Sequence, residues 1–160
     1  MKGIDKIIGD INSLLTLKLW VGNSTAYYGR VWENESENGL KPEIYSNGKY
    51  FEVLHNITKD AQLFWRVAPS NSREYGVVDV SLFVYCNFAK IYPNEQNRDA
   101  FEIAIHDIIS ILDFTQFRYS NTVTGKESFS MWKGASQNKH DMQPWGMFRI
   151  DGEISIDSYC

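Results

Sequence analysis

The sequence predicts an α+β fold: a mainly antiparallel, twisted β-sheet with two helices packed on one face, plus long loops and a β-hairpin extension. Three observations predict it. Near the C-terminus, Phe148, Ile150, Ile154 and Ile156 alternate with Arg149, Asp151, Glu153, Ser155 and Asp157, the two-residue period of a half-buried strand. Val78, Val80, Leu82, Val84 and Cys86 repeat that pattern. Two amphipathic stripes of helical period stand apart from these strands, one at the N-terminus and one directly after Cys86.

Taken in order, Ile4, Ile7, Ile8, Ile11, Leu14 and Leu15 form the first stripe, with Asp5, Lys6, Asp10 and Ser13 off it. This helix spans Gly3–Leu17 and ends by Gly22. Residues 22–41 are polar, with three Gly and the acidic run Glu33, Glu35, Glu37. They read as a loop holding one short strand around Tyr27–Trp32. Asn47-Gly48 between Ile44-Tyr45 and Tyr50–Leu54 is a hairpin signal, because Asn-Gly supplies the positive φ angles of a tight two-residue turn.

Leu63–Val67 reads as a strand stopped by Pro69. The loop Ser70–Arg73 then returns the chain antiparallel along the strand 75–88. A short loop, Ala89–Pro93, leads to a helix over Glu95–Leu112, capped by Asn94 or Asn97, with Phe101, Ala104, Ile105, Ile108 and Leu112 as its apolar face. Two β-like runs follow, Phe114–Tyr119 and Ser128–Trp132. A polar loop from Gly134 to Gly146 precedes the last strand. One domain over 1–160 is expected, with 114–146 as an inserted loop and hairpin region.

Composition narrows the function classes. Hydrophobic residues make up 43% and charged residues 22%, as in a globular protein, and the net charge of −4 argues against nucleic acid as a ligand of the whole surface. Cys86 falls inside an apolar strand and Cys160 is the last residue, which does not make a disulfide framework. Charges interrupt the first twenty residues, so a signal peptide is not expected, and no apolar run is long enough to span a bilayer.

Motifs for catalysis are not apparent. His55, His106 and His140 lack metal-ligand spacing, Gly22 and Gly29 form no phosphate loop, and Cys86 reads as packing. The expectation is no enzyme, no cofactor and no metal. Aromatics are abundant at 14%. Trp32, Trp132 and Trp145 lie in polar segments, where they either cap core edges or meet a partner. Phe83 and Tyr85 sit on the outer face of the central strand, covered either by this chain or by a neighbour. Asn71, Arg73 and Lys133 join the three tryptophans as candidate interface residues. Trp132→Ala is expected to spare the monomer and harm assembly.

The segment VVDVSLFVYCNFAKIYPNEQNRDAFEIAIHDIISIL, together with the N-terminal helix and the closing strand Phe148–Ile156, resembles the tail terminator proteins of long-tailed bacteriophages, and more broadly the small neck and tail-completion proteins. The resemblance is one of element order and covers about a quarter of the chain. Residues 20–60 and 120–146 are longer than in typical members.

The resemblance implies a structural virion protein, assembled in the bacterial cytoplasm. It would form a homo-oligomeric ring, commonly hexameric, that joins the tail tube to the head connector and lets DNA pass without sequence-specific binding. Glu33, Glu35, Glu37, Asp151 and Glu153 would then line the channel, repelling phosphates. A competing reading is a small ligand-binding or enzymatic domain, with Tyr27, Tyr28, Trp132 and Trp145 around a pocket.

Overall fold

The structure, a computed structural model, describes residues 3–54, 58–68, 76–95, 97–134 and 144–156. The elements are α1 (Ile4–Lys18), β1 (Thr25–Arg30), β2 (Trp32–Ser36), β3 (Gly39–Ser46), β4 (Lys49–Glu52), β5 (Ala61–Val67), β6 (Val77–Asn87), α2 (Phe88–Ile91), α3 (Asn97–Leu112), β7 (Phe117–Thr124), a 3₁₀ helix (Gly125–Phe129) and β8 (Trp145–Ser155). The fold is α+β. A five-stranded sheet has the order β1-β5-β6-β8-β7, and β2-β3-β4 form a separate antiparallel meander.

The central pair obeys the alternation read from the sequence. Leu82 lies opposite Ile150, Val84 opposite Phe148 and Val78 opposite Ile154. All three β8 partners are buried in one apolar cluster. Gly152 interrupts the series opposite Val80. A Cβ there would stand 2.4 Å from the Phe117 ring and 2.3 Å from the Arg118 carbonyl oxygen, so the gap in the pattern is the space that β7 fills.

Helix α1 buries Ile7, Ile8, Ile11 and Leu15 against this face, and α3 buries Ala100, Ala104, Ile108 and Leu112. The residues recur at i+3 and i+4, as an amphipathic helix requires. Asn12 also anchors α1. The Trp65 indole N–H donates to its Oδ1 at 2.8 Å, and its Nδ2 donates to the Tyr28 carbonyl at 2.9 Å.

The opposite face of the same sheet carries a second core. Phe64, Phe83, Tyr85 and Met147 point into it and are roofed by Phe129, Trp132, Val53, Leu54 and Val31. The outer aromatics of β6 are therefore covered by this chain at that end. Meander residues Leu40 and Ile44 pack against the same cluster.

Several local expectations change. Residues 22–41 hold more strand than expected: β1 pairs in parallel with β5, and β2 is the first strand of the meander. The first five residues of β1 are all half-buried without alternation, so it carries no two-residue signal. The run Ser128–Trp132 is not a strand but follows from the 3₁₀ helix, with the Trp132 N–H donating to the Phe129 carbonyl at 3.0 Å. Its i+3 spacing puts Phe129 and Trp132 on one side, both buried.

Ala89–Pro93 begins as the one-turn helix α2, capped by the Asn87 side chain, which accepts from the Ala89 N–H at 3.0 Å. Asn97 is the first residue of α3 rather than a cap. The loop Ser70–Arg73, His55, His140, Asp157 and Cys160 lie outside the described residues.

A polar latch closes the helical layer. Trp20 adopts a left-handed backbone (φ +49°), which costs a non-glycine residue about 1 kcal/mol or more. Its indole N–H donates to the Tyr92 oxygen at 2.7 Å, and the Tyr92 hydroxyl donates to Asp107 Oδ2 at 2.6 Å. Burial, and then the hydrogen bond to Asp107, push the Tyr92 phenol far above the ordinary tyrosine range. Burial likewise pushes the Cys86 thiol up.

A raised folded-state pKa means that this stabilisation is complete below the unfolded value, about 10 for tyrosine, and is lost as pH rises beyond it. Wild type is therefore expected to lose stability progressively above about pH 10. Tyr92→Phe, weaker at neutral pH, should show a shallower alkaline fall. Urea midpoints measured across that range check this, and parallel slopes would refute it.

Candidate functional site

The meander presents the most distinctive surface. Asn47 (φ +52°) and Gly48 (φ +80°) make the two-residue turn expected from their sequence. That turn sets Tyr45 opposite Tyr50 and Ile44 opposite Phe51, while the β2 pairing sets Trp32 opposite Glu43. Directly opposed residues share a face. Trp32, Glu43, Glu52, Tyr45 and Tyr50 therefore share the outward side. Leu40, Pro42 and Ile44 lie on the other, where Leu40 and Ile44 meet the core.

Trp32 and Tyr50 meet edge to face at 6.4 Å, and Tyr45 meets Tyr50 at 5.0 Å. The three rings are about half exposed: 56%, 48% and 56% for Trp32, Tyr50 and Tyr45. Glu43, on the same side by register, is nearly buried. It accepts from Asn34 Nδ2 at 3.0 Å and pairs with Lys41 at 3.7 Å. Residues 32–52 contain five carboxylates and two lysines, a net −3 of the chain's −4. The far end of the meander is pinned to the core, because the Gly134 N–H donates to the Leu40 carbonyl at 2.8 Å. A side chain on Gly134 would collide with the Gly39 carbonyl at 2.2 Å.

A second surface is the open end of the sheet's outer face. A groove of about 410 Å³ is lined by Arg66, Asp79, Ser81, Arg149 and Asp151 among others. Arg149 grips Asp151 with two N–H donors at 2.8 and 3.1 Å, and the Ser81 hydroxyl donates to the same carboxylate at 2.6 Å. Arg66 is held by Glu33. A hollow of about 540 Å³ lies beside α1 and β1, bordered by Asp5, Arg30 and Trp32.

The candidate interface residues separate on this frame. Trp32 belongs to the exposed ring cluster. Lys133 is exposed beside Gly39. Trp145 lies flat on Tyr85 at 4.8 Å and closes the edge of the second core. Trp132 is 0% exposed, so its side chain is core and is not available to a partner. Asn71 and Arg73 lie outside the described residues.

Of the candidate lining carboxylates, Asp151 lines the groove and Glu33 borders the hollow, each already paired with an arginine. Glu153 sits between Asp79 and Arg118 in the sheet. Glu35 and Glu37 are exposed on β2 and the turn after it.

The aromatic pocket does not form. Tyr27 packs with the first core and Tyr28 with the second, while Trp132 is interior. Tyr45 and Tyr50, absent from the sequence candidates, complete the exposed cluster. No protein-family model matches the chain, and no curated protein is significantly similar to it. No helix among the described residues is long and apolar enough to cross a membrane.

Proposed function

We propose that this chain is a structural virion protein of a tailed bacteriophage, a ring-forming tail terminator or neck subunit that joins the tail tube to the head connector. The observation that carries the reading is the meander. One of its faces completes the core, and the other leaves three contacting aromatic rings in solvent. Monomeric proteins rarely leave contiguous apolar patches bare unless a partner covers them.

The element order supports the same reading. A helix opens the chain, a long central strand runs into the second helix, and an alternating strand closes the domain, as the resemblance implies. Glu35 and Glu37, exposed and without an arginine in an ion pair among the described residues, are the better candidates for a surface past which DNA slides. Glu33 and Asp151 are already compensated.

Native mass spectrometry of the purified chain, alone and with its tail-tube protein, tests the proposal. The expected result is a closed oligomer, or a monomer that closes into a ring only on the tube. A persistent monomer in both settings, absent from purified particles, would refute it.

A further inference from the structure

We infer that the meander, with Val53 and Leu54 directly after it, is a flap hinged at Val31 that opens as a unit from the outer face of the five-stranded sheet. The inference does not rest on the assembly reading. It follows from how weakly this layer is held and from what lies on the face it covers.

Among the described residues, no ladder joins the meander to the five-stranded sheet. The chain enters it through the single residue Val31, whose N–H donates to the Trp65 carbonyl at 2.9 Å. Leu40 and Ile44 pack on the second core beside Val53 and Leu54. The Gly134 N–H holds the Leu40 carbonyl, and Arg66 pairs with Glu33. Every residue of β2 and β4 is exposed or half-buried, and in β3 Pro42 and Glu43 are buried. β6, by contrast, buries Val80 and every residue from Leu82 to Cys86. Apolar stabilisation scales with the area removed from water, so lifting the meander takes much less than unfolding the sheet. Segments with few buried apolar contacts open at a free energy below that of global unfolding.

Gln62 lies on the face that this layer covers. It shares that face with Phe64, opposite Ala26 on β1 and Tyr85 on β6. The residue is 1% exposed, and both its amide oxygen and its amide nitrogen are buried without a hydrogen-bond partner among the described residues. Opening returns both atoms to water. Gln62 therefore weakens the closed state against the open one, by about tenfold or more in the opening constant. Any ligand or neighbour that favours one of the two states would shift their populations.

Amide hydrogen exchange of the full chain, followed residue by residue at rising sub-denaturing urea, tests this. The ladder amides of β3 are expected to exchange at least about tenfold faster than those of β6 and β8, and to share one urea dependence, as a common opening requires. Gln62→Met, which keeps the length of the side chain and removes the amide, should slow β3 exchange by about tenfold. Ile8→Val, in the first core, should speed exchange in β6 and β8 and leave β3 as in wild type, because α1 stays docked while the flap opens.

Gly134→Ala gives a second route to the same equilibrium. Its Cβ would collide with the Gly39 carbonyl at 2.2 Å, so β3 exchange should accelerate. Four results would each overturn the inference: β3 amides as slow as those of β6 and β8, β3 exchange without urea dependence, β3 accelerated by Ile8→Val as much as β6, or β3 rates unchanged in a folded Gln62→Met or Gly134→Ala variant.

Discussion

Trp132→Ala is expected to cost about 3–5 kcal/mol of folding stability, the range for removing a buried aromatic side chain from a core. The indole is 0% exposed and packs edge-on against Phe64 at 5.8 Å and Phe83 at 5.5 Å. Those two rings stack on each other at 5.1 Å, and Phe129 closes over both. Truncation would leave a cavity with aromatic walls, and neighbours in regular strands can collapse into it only partly.

Against a total stability of about 5–15 kcal/mol, such a loss is large. Urea unfolding should show a much lower midpoint. Trp32→Ala is the matched control: its ring is 56% exposed, and substitutions at such surface sites shift stability by only about 0.5 kcal/mol. If the two variants unfold at similar urea concentrations, the assignment of one ring to the core and the other to the surface is wrong.

The contrast between these two tryptophans shows what the sequence conveys. Both sit among polar neighbours, and composition alone treats them alike. The distinguishing signal is spacing. Phe129 and Trp132 are three apart, the repeat of a 3₁₀ turn that puts both on one side. A reader looking for two-residue alternation takes Ser128–Trp132 for a strand instead.

Where the period is clean and the segment long, as in β6, β8, α1 and α3, the elements, their faces and their layer can all be read from the chain. β1 could not be, because each of its first five residues is half-buried and nothing alternates. β2 could not be either, because its acidic run Glu33–Glu37 looks like a solvated loop until β3 is laid beside it.

The exposed cluster was half legible. Trp32 stood out as an aromatic in a polar stretch. Tyr45 and Tyr50 did not, although the Asn47-Gly48 turn already implies that they face each other across the hairpin. Joining Trp32 to them needs the β2–β3 register, which no local pattern supplies. The same holds for the arginine on Glu33, whereas Arg149, two residues before Asp151 on one face of β8, follows from the alternation itself. Arg66 reaches Glu33 from another strand, so a row of carboxylates that reads as uncompensated in sequence is partly neutralised in space.

Ile154→Asp is expected to abolish the native fold under conditions where Glu153→Lys barely changes it. Ile154 is 0% exposed, opposite Val78 on one side and Phe117 on the other. Its neighbours in the cluster are apolar, so a carboxylate there would be buried among groups that cannot hydrogen-bond to it. The lost apolar burial adds to an uncompensated charge, each worth several kcal/mol, and together they match the whole stability of a typical domain.

The charge can be relieved only by protonation, which burial favours by raising the carboxyl pKa. Any native population of Ile154→Asp should therefore grow as pH falls from neutrality toward about 5, because the folded form then binds a proton that the unfolded chain lacks. Glu153, one residue earlier, lies on the opposite face between Asp79 and Arg118. A lysine there exchanges one favourable cross-strand neighbour for another, a change of about 1 kcal/mol or less. Far-UV spectra and urea unfolding of the two variants at neutral and mildly acidic pH would separate them. Equal behaviour would mean that β8 does not divide its residues between core and groove.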